Sequence, residues 1–107
     1  MKTSNLDTQI GINRSDLDSI IKVFATKNKI EKVILFGSRA NGKFTGGSDI
    51  DIALTGKDLN LDDIITLNLE LHDLMLPYKF DILIYDRISE PALKEHINRV
   101  GITLYQR

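Results

Sequence analysis

The sequence predicts an α/β (α+β) fold, a small mixed β-sheet with helices packed mainly on one face. Short runs of β-branched and aromatic residues alternate with segments whose apolar residues recur at helical spacing. Four of the seven glycines lie between residues 37 and 48, separating the first two of these runs. A chain of 107 residues is long enough for one core, so we expect a single domain, 1–107.

The N-terminal part should contain an arm, a helix and a strand. Residues 1–13 are polar and show no period, so we expect an N-terminal arm. Ser15 is a candidate N-cap for the first helix, which should extend to about Asn28. Residues 32–36 then form a short β-branched and aromatic run, which predicts a strand that ends at Gly37.

A glycine-rich loop should join the first two strands. Residues 37–48 form this loop, and residues 49–54 change from alternating to apolar character, which predicts the second strand. A connection of about twelve residues is near the lower limit for a parallel crossover, so antiparallel pairing stays open. Asn60 can cap the next helix, and Pro77 should close it.

The C-terminal part repeats the strand and helix pattern. Residues 80–85 predict a third strand, and Ser89 and Pro91 begin a helix that should run to about Arg99. Residues 102–105 follow as a short final strand. The expected order is helix, strand, turn, strand, helix, strand, helix, which places a small sheet beside helices.

Composition excludes several classes of protein. With a net charge of -1 the chain lacks the positive charge of an extended nucleic-acid surface. No apolar run is long enough for a membrane span, so we expect no membrane partner. Cysteine is absent, which excludes disulfides, thiolate zinc sites and cysteine nucleophiles and fits a cytoplasmic location.

The glycine loop resembles a Walker A motif, but two features argue against that reading. Residues 37–43 match the pattern G-x-x-x-x-G-K after a strand. Phe44 stands where a serine or threonine is needed to reach magnesium, and Gly46 prevents the long helix that should follow Lys43.

A phosphate-binding role remains open for the start of this loop. If Ser38 begins a helical turn, its hydroxyl and the adjacent N–H groups can bind a phosphate. Gly37 allows close approach of the backbone, and Arg39 adds positive charge. The alternative is a plain turn in which Ser38 is only a helix cap.

Three aspartates lie within predicted strands, where aspartate is unfavourable. Asp49 and Asp51 are two residues apart, so both should face the same side of the sheet, and Asp81 lies in the next strand. Three carboxylates on neighbouring strands suit magnesium or manganese. Ten residues separate Ser38 from Asp49, so the loop can fold back and bring its phosphate donors towards the carboxylates. This combination favours metal-assisted transfer from a nucleoside triphosphate.

The combined pattern resembles the nucleotidyltransferase superfamily of DNA polymerase beta type. Gly37-Ser38, ten residues and then Asp49-Ile50-Asp51 match its signature, and residues 36–42 and 48–54 are similar to its minimal nucleotidyltransferase (MNT) branch. Asn41 departs from the more usual arginine. The resemblance covers residues 15–105.

The resemblance implies a nucleotidyltransferase-like fold and a role for each residue of the motif. Asp49 and Asp51 would bind two divalent metal ions, Mg²⁺ or Mn²⁺, and Asp81 would bind the one that activates the attacking hydroxyl. Gly37, Ser38 and Arg39 would bind the nucleotide. The implied reaction is attack of a hydroxyl on the α-phosphorus of ATP, with pyrophosphate leaving.

The resemblance also implies a partner. MNT proteins are typically paired with helical HEPN-domain toxins, so the leading hypothesis is an antitoxin that transfers AMP to a tyrosine of its HEPN partner. One alternative is transfer to a small hydroxylated molecule such as an aminoglycoside. Another is a non-catalytic module that masks a partner.

Two histidines and four leucines complete the candidates. We expect His72 and His96 on helix surfaces rather than in a site. Four leucines on or near the helix that Asn60 caps are either buried or available for a partner or homo-oligomer contact. They are Leu59, Leu61, Leu69 and Leu76.

Overall fold

The computed structural model describes residues 5–107 as four strands and their helices. In chain order the elements are α1 (Leu6–Ile10), α2 (Arg14–Ala25), β1 (Ile30–Phe36), α3 (Ser38–Asn41), β2 (Ile50–Gly56), α4 (Leu61–His72), β3 (Phe80–Ile84), a 3₁₀ turn (Tyr85–Arg87), α5 (Pro91–Val100) and β4 (Ile102–Gln106). No helix in this part of the chain is long and apolar enough to cross a membrane.

The strands form one mixed sheet with the order β3-β2-β1-β4. Strand β1 pairs antiparallel with both β2 and β4, whereas β2 pairs parallel with β3. The open question about the first two strands is thus settled as antiparallel, a pairing that needs no crossover. Helix α4 instead provides the longer connection that the parallel pair requires.

The helices cover the two faces of the sheet unequally, as predicted. Helices α2 and α4 pack on one face, where the main core contains residues such as Phe24, Leu35 and Leu71. Helix α5 and the 3₁₀ turn lie on the other face, where Ile97 packs against Phe36 and Ala53. The small second core leaves part of this face available for a site.

The prediction of a polar arm over residues 1–13 was wrong for residues 5–13, the part of the arm that the structure describes. Ile10, the last residue of α1, and Ile12 are fully buried in the main core. Gly11 separates these two isoleucines in a left-handed conformation, so they show no helical period in the sequence. Residues 1–4 lie outside the described part.

Helix caps confirm one prediction and correct another. Asn60 caps α4 as expected and forms a reciprocal capping box with Asp63. The cap of α2 is Asn13 rather than Ser15, since the Asn13 side chain accepts from the N–H of Asp16 at 2.8 Å. Ser15 is the second residue of the helix, and it is exposed.

The leucines near α4 divide between core and surface. Leu59 is buried, and Leu76 packs partly buried against the main core. Leu61 and Leu69 are 65% and 62% exposed, and Ile65 between them is 49% exposed. Four-residue spacing places these three side chains in one stripe along α4.

Candidate active site

The glycine after β1 forms the first wall of the site. Gly37 has φ 78° and ψ -157°, a conformation that side chains with a Cβ rarely adopt. A Cβ at this position would meet the Oδ2 atom of Asp51. Gly37 is therefore required both for its backbone conformation and for the close approach of the carboxylate.

Ser38 follows as the first residue of the short helix α3. Gly37 occupies the N-cap position, and no side chain caps the helix, so Ser38 is not the cap that the alternative reading required. The backbone N–H groups of Ser38 and Arg39 find no acceptor among residues 5–107. The Ser38 hydroxyl has no protein partner there either, and it is not sealed from solvent. The turn thus has two N–H groups and one hydroxyl that are available to a ligand.

The register of the sheet places two of the predicted carboxylates side by side. Asp51 is paired with Phe36 on one side and with Asp81 on the other. Paired residues project to the same face, which here is the face that α5 covers only in part. Asp51 is half-buried, whereas Asp49 and Asp81 are exposed. Asp49 lies one residue before β2 begins.

The electrostatics show that the three carboxylates form one group. Burial raises the pKa of Asp51 above its usual value, and the negative charges of Asp81 and Asp49 raise it further. A positive charge on His96 would have the opposite, smaller effect on this pKa. Asp51 therefore experiences a negative potential that a bound cation would relieve.

The carboxylates fit a divalent cation by donor type and by face. Among residues 5–107, no three carboxylate or imidazole groups are gathered closely enough for a ready-made metal site. Asp51 and Asp81 nevertheless share a register position, and Asp49 is near enough to affect Asp51. Oxygen donors of this kind suit Mg²⁺ and Mn²⁺.

The expectation that Arg39 binds phosphate needs correction. Its side chain is only 1% exposed, and its guanidinium donates to backbone carbonyls instead. It donates to Ile10 at 3.1 Å and Gly11 at 2.9 Å, at the end of α1. It also donates to Gly46 at 3.4 Å and twice to Ser48, at 3.1 and 2.9 Å. Arg39 thus ties α1 to the loop that precedes Asp49.

Aromatic rings complete the surroundings of this guanidinium. The ring centroids of Phe44 and Tyr78 lie 5.5 and 5.3 Å from its central carbon. Phe44, which excluded a Walker A motif in the sequence, therefore packs on Arg39. No local pattern indicates this role, because the contacts join residues up to 39 positions apart.

His96 is the residue of the site that sequence reasoning missed. We expected it on a helix surface, but its Nε2 atom accepts the backbone N–H of Gly37 at 3.2 Å. Its ring also meets Phe36 edge to face, with centroids 6.2 Å apart. The sequence feature that could have indicated this position is that His96 directly precedes Ile97. Ile97 packs on the same face of the sheet as Asp51 and Asp81. His72 is exposed on α4, as expected.

The comparison with family models identifies the chain. The model described as "Polymerase beta, Nucleotidyltransferase" matches residues 18–107, most of the chain. The chain belongs to this nucleotidyltransferase family. The match includes the Gly-Ser turn and all three aspartates, and the small mixed sheet is the expected nucleotidyltransferase-like fold.

Solved structures of other nucleotidyltransferase-like chains have the same fold. A chain of a toxin–antitoxin crystal structure with AMP-PNP is 25% identical, with a TM-score of 0.71 over 85% of this chain and 73% of that one. A "putative minimal nucleotidyltransferase" is 27% identical, with a TM-score of 0.65 over 83% of this chain and 89% of its own.

Two further relatives have names that state an activity or a partner. One chain comes from a Shewanella oneidensis complex of a tri-AMPylated HEPN toxin with an MNT antitoxin. It is 22% identical, with a TM-score of 0.65 over 88% of this chain and 72% of that one. The curated relative is a "putative protein adenylyltransferase" of Methanocaldococcus jannaschii, 49% identical over 41 residues. That match spans 38% of this chain and 40% of the relative.

Proposed function

We propose that this nucleotidyltransferase moves AMP from ATP to a tyrosine hydroxyl of a HEPN-domain partner and acts as its antitoxin. The observation that carries the proposal is the close approach of the Gly37-Ser38 turn to Asp51, which is paired with Asp81 and is affected by the charge of Asp49. In the proposed reaction the N–H groups of the turn would bind phosphate, and the neighbouring carboxylate oxygens would bind a divalent cation.

Each part of the site has a distinct task in this reaction. The Ser38 hydroxyl and the free N–H groups of the turn bind the terminal phosphates of ATP. Asp49, Asp51 and Asp81 would hold two divalent cations. These cations, when bound, supply positive charge that neutralises the triphosphate and lowers the pKa of the attacking hydroxyl. The hydroxyl oxygen bonds to the α-phosphorus, pyrophosphate leaves, and Asp81, which is exposed at the open edge strand, receives the proton.

The relatives support the choice of nucleotide and acceptor. The similar toxin–antitoxin structure contains AMP-PNP, a nucleoside triphosphate analogue. The Shewanella oneidensis complex contains a HEPN toxin that carries three AMP groups. The curated relative has a name that assigns it protein adenylylation. These names favour transfer of AMP to a protein over transfer to a small molecule.

The exposed apolar stripe on α4 is consistent with a protein partner. Leu61, Ile65 and Leu69 present apolar side chains to solvent on consecutive turns. Contiguous exposed apolar surface of this kind is typical of protein interaction sites. Within the described part of the chain, no element packs over these three side chains.

The proposal is tested by mixing the protein with its HEPN partner, ATP and MgCl₂ and measuring the intact mass of the partner. We expect one or more AMP increments, and peptide mapping should place them on tyrosine. An Asp49→Asn variant should produce none. Neutralisation of the partner without any mass change would instead support the non-catalytic masking hypothesis. AMP transfer to an aminoglycoside but not to the partner would support the small-molecule alternative.

Ser38→Ala should weaken ATP binding without destabilising the fold. The change removes one hydrogen bond to a charged phosphate, about 1.5–3 kcal/mol, which corresponds to roughly a 10- to 150-fold loss of affinity. No cap bond is lost, because the Ser38 side chain caps no helix. Titration calorimetry with magnesium-ATP measures the affinity, and thermal unfolding measures the stability. Ser19→Ala on α2 is the matched control, and equal affinities in all three proteins would contradict the phosphate role of Ser38.

A further inference from the structure

His96 connects helix α5 to the Gly37-Ser38 turn. Its Nε2 atom lies 3.2 Å from the backbone nitrogen of Gly37, and its ring packs edge to face on Phe36 with planes at 82°. The hydrogen bond joins residues 59 positions apart in sequence. Both contacts are made on the face of the sheet where Asp51 and Asp81 lie.

The hydrogen bond fixes the form of the imidazole ring. A backbone N–H can only donate, so Nε2 must accept and the ring proton is on Nδ1. Within the described part of the chain, no buried side-chain nitrogen lacks a partner, and Nδ1 of His96 has no protein partner. Nδ1 therefore meets solvent, and only Nε2 is engaged with the protein.

Two side chains, those of Asp51 and His96, contact the backbone of Gly37. The Asp51 carboxylate occupies the space where a side chain of Gly37 would lie, and His96 accepts its N–H group. The next two N–H groups along the chain, those of Ser38 and Arg39, find no acceptor among residues 5–107. Their direction depends on the conformation of Gly37, because rotation of its backbone would turn the peptide units that follow.

We infer that His96 is a positioning residue for the nucleotide. Its Nε2 atom holds the Gly37 N–H, and this bond keeps the donors of Ser38 and Arg39 directed at the triphosphate. The inference rests on the proposed function, because the donors have a task only when a nucleoside triphosphate binds. It assigns α5 a direct part in the site, although the helix contributes none of the three aspartates.

The test compares one substitution that removes the acceptor with one that can retain it. His96→Phe keeps an aromatic ring against Phe36 but has no acceptor, whereas His96→Gln can place an amide oxygen near the Nε2 position. Asn98→Ala is the control on the same helix, since it removes a hydrogen bond from Tyr85 at 2.8 Å that lies outside the turn. All are assayed as full chains with the HEPN partner and magnesium-ATP.

We expect His96→Phe to lower kcat/KM for ATP about tenfold, mainly through KM, since the lost bond acts on substrate binding. His96→Gln should stay within about threefold of the unmodified protein, and Asn98→Ala should equal it. Unchanged kcat/KM in His96→Phe would overturn the inference. Equal losses in the Phe and Gln variants would also overturn it, because the acceptor would then be irrelevant.

A second measurement is independent of catalysis. In a ¹⁵N-labelled sample, the Gly37 amide should show a scalar coupling to the His96 Nε2 nitrogen through the hydrogen bond, and slow hydrogen exchange. Fast exchange and no coupling would overturn the inference even if His96→Phe failed to fold. If the coupling is present but the unmodified protein neither binds ATP nor transfers AMP, the proposed function fails, and with it the nucleotide role of His96.

Discussion

Asp51→Asn is expected to abolish AMP transfer while leaving the fold intact. The side chain lies beside the Gly37 turn and is paired with Asp81, so in the proposed reaction it would bind the metal ions next to the reacting phosphate. Loss of several kcal/mol of charge stabilisation corresponds to a fall in kcat of about a thousandfold or more. Intact-mass measurement of the HEPN partner over time gives the rate.

The same substitution should preserve or slightly raise the stability of the metal-free protein at neutral pH. The folded protein raises the pKa of Asp51 above 3.8, through burial first and through Asp81 and Asp49 next. Folding therefore favours the protonated form. The free energy of unfolding should decrease as the pH rises from 3.8 through the higher, folded pKa, and the full loss is present at neutral pH. Asparagine carries no charge, so the Asp51→Asn variant should not show this decrease in the free energy of unfolding.

Thermal unfolding in EDTA checks the stability, with Asp62→Asn as the matched control. Asp62 is exposed on α4, away from the aspartate group, and its replacement changes the net charge equally. We expect the melting temperature of Asp51→Asn to equal or exceed that of the unmodified protein. A large decrease would mean that the Asp51 carboxylate is needed for folding, and the site proposal would lose its central residue.

The aspartate group could be predicted because its residues break a local rule. Aspartate is a poor strand former, so Asp49, Asp51 and Asp81 within β-branched runs indicate a function rather than packing. The pleat of a strand then places two of them on one face without any knowledge of the tertiary structure. Gly37 is similar, because a glycine between a strand and a helical turn indicates an unusual backbone conformation.

The roles of Arg39 and His96 could not be predicted, because they depend on long-range contacts. An arginine beside a Gly-Ser turn resembles a phosphate ligand until α1 is known to lie against it. Ile10 at the end of α1 and Ile12 after it are buried. Gly11 between them is left-handed, so the two isoleucines do not show the helical spacing from which their burial could have been predicted. His96 lies on an amphipathic helix, and its neighbour across the sheet becomes known only once β1 is placed.

Arg39→Lys is expected to destabilise the fold strongly. Lysine retains the charge but lacks the planar group that donates from three nitrogens to four carbonyls. The buried carbonyl of Ile10 and the partly buried carbonyls of Gly11 and Ser48 would then lose a donor, at about 1–3 kcal/mol for a buried unsatisfied group and less where solvent reaches the oxygen. We expect a loss of about 3 kcal/mol in the free energy of unfolding, or a decrease of roughly 15 °C in melting temperature.

Arg99→Lys is the control, because Arg99 is an exposed arginine on α5 whose ion pair with Glu95 contributes little. Its melting temperature should stay within about 2 °C of the unmodified protein. Calorimetry with magnesium-ATP below the melting transition then separates the two roles of Arg39. If Arg39→Lys kept its melting temperature but lost ATP affinity, Arg39 would be a phosphate ligand, as its sequence position suggests. A lower melting temperature, with ATP affinity nearly unchanged in the fraction that stays folded, would instead assign it to the connection between α1 and the loop before Asp49.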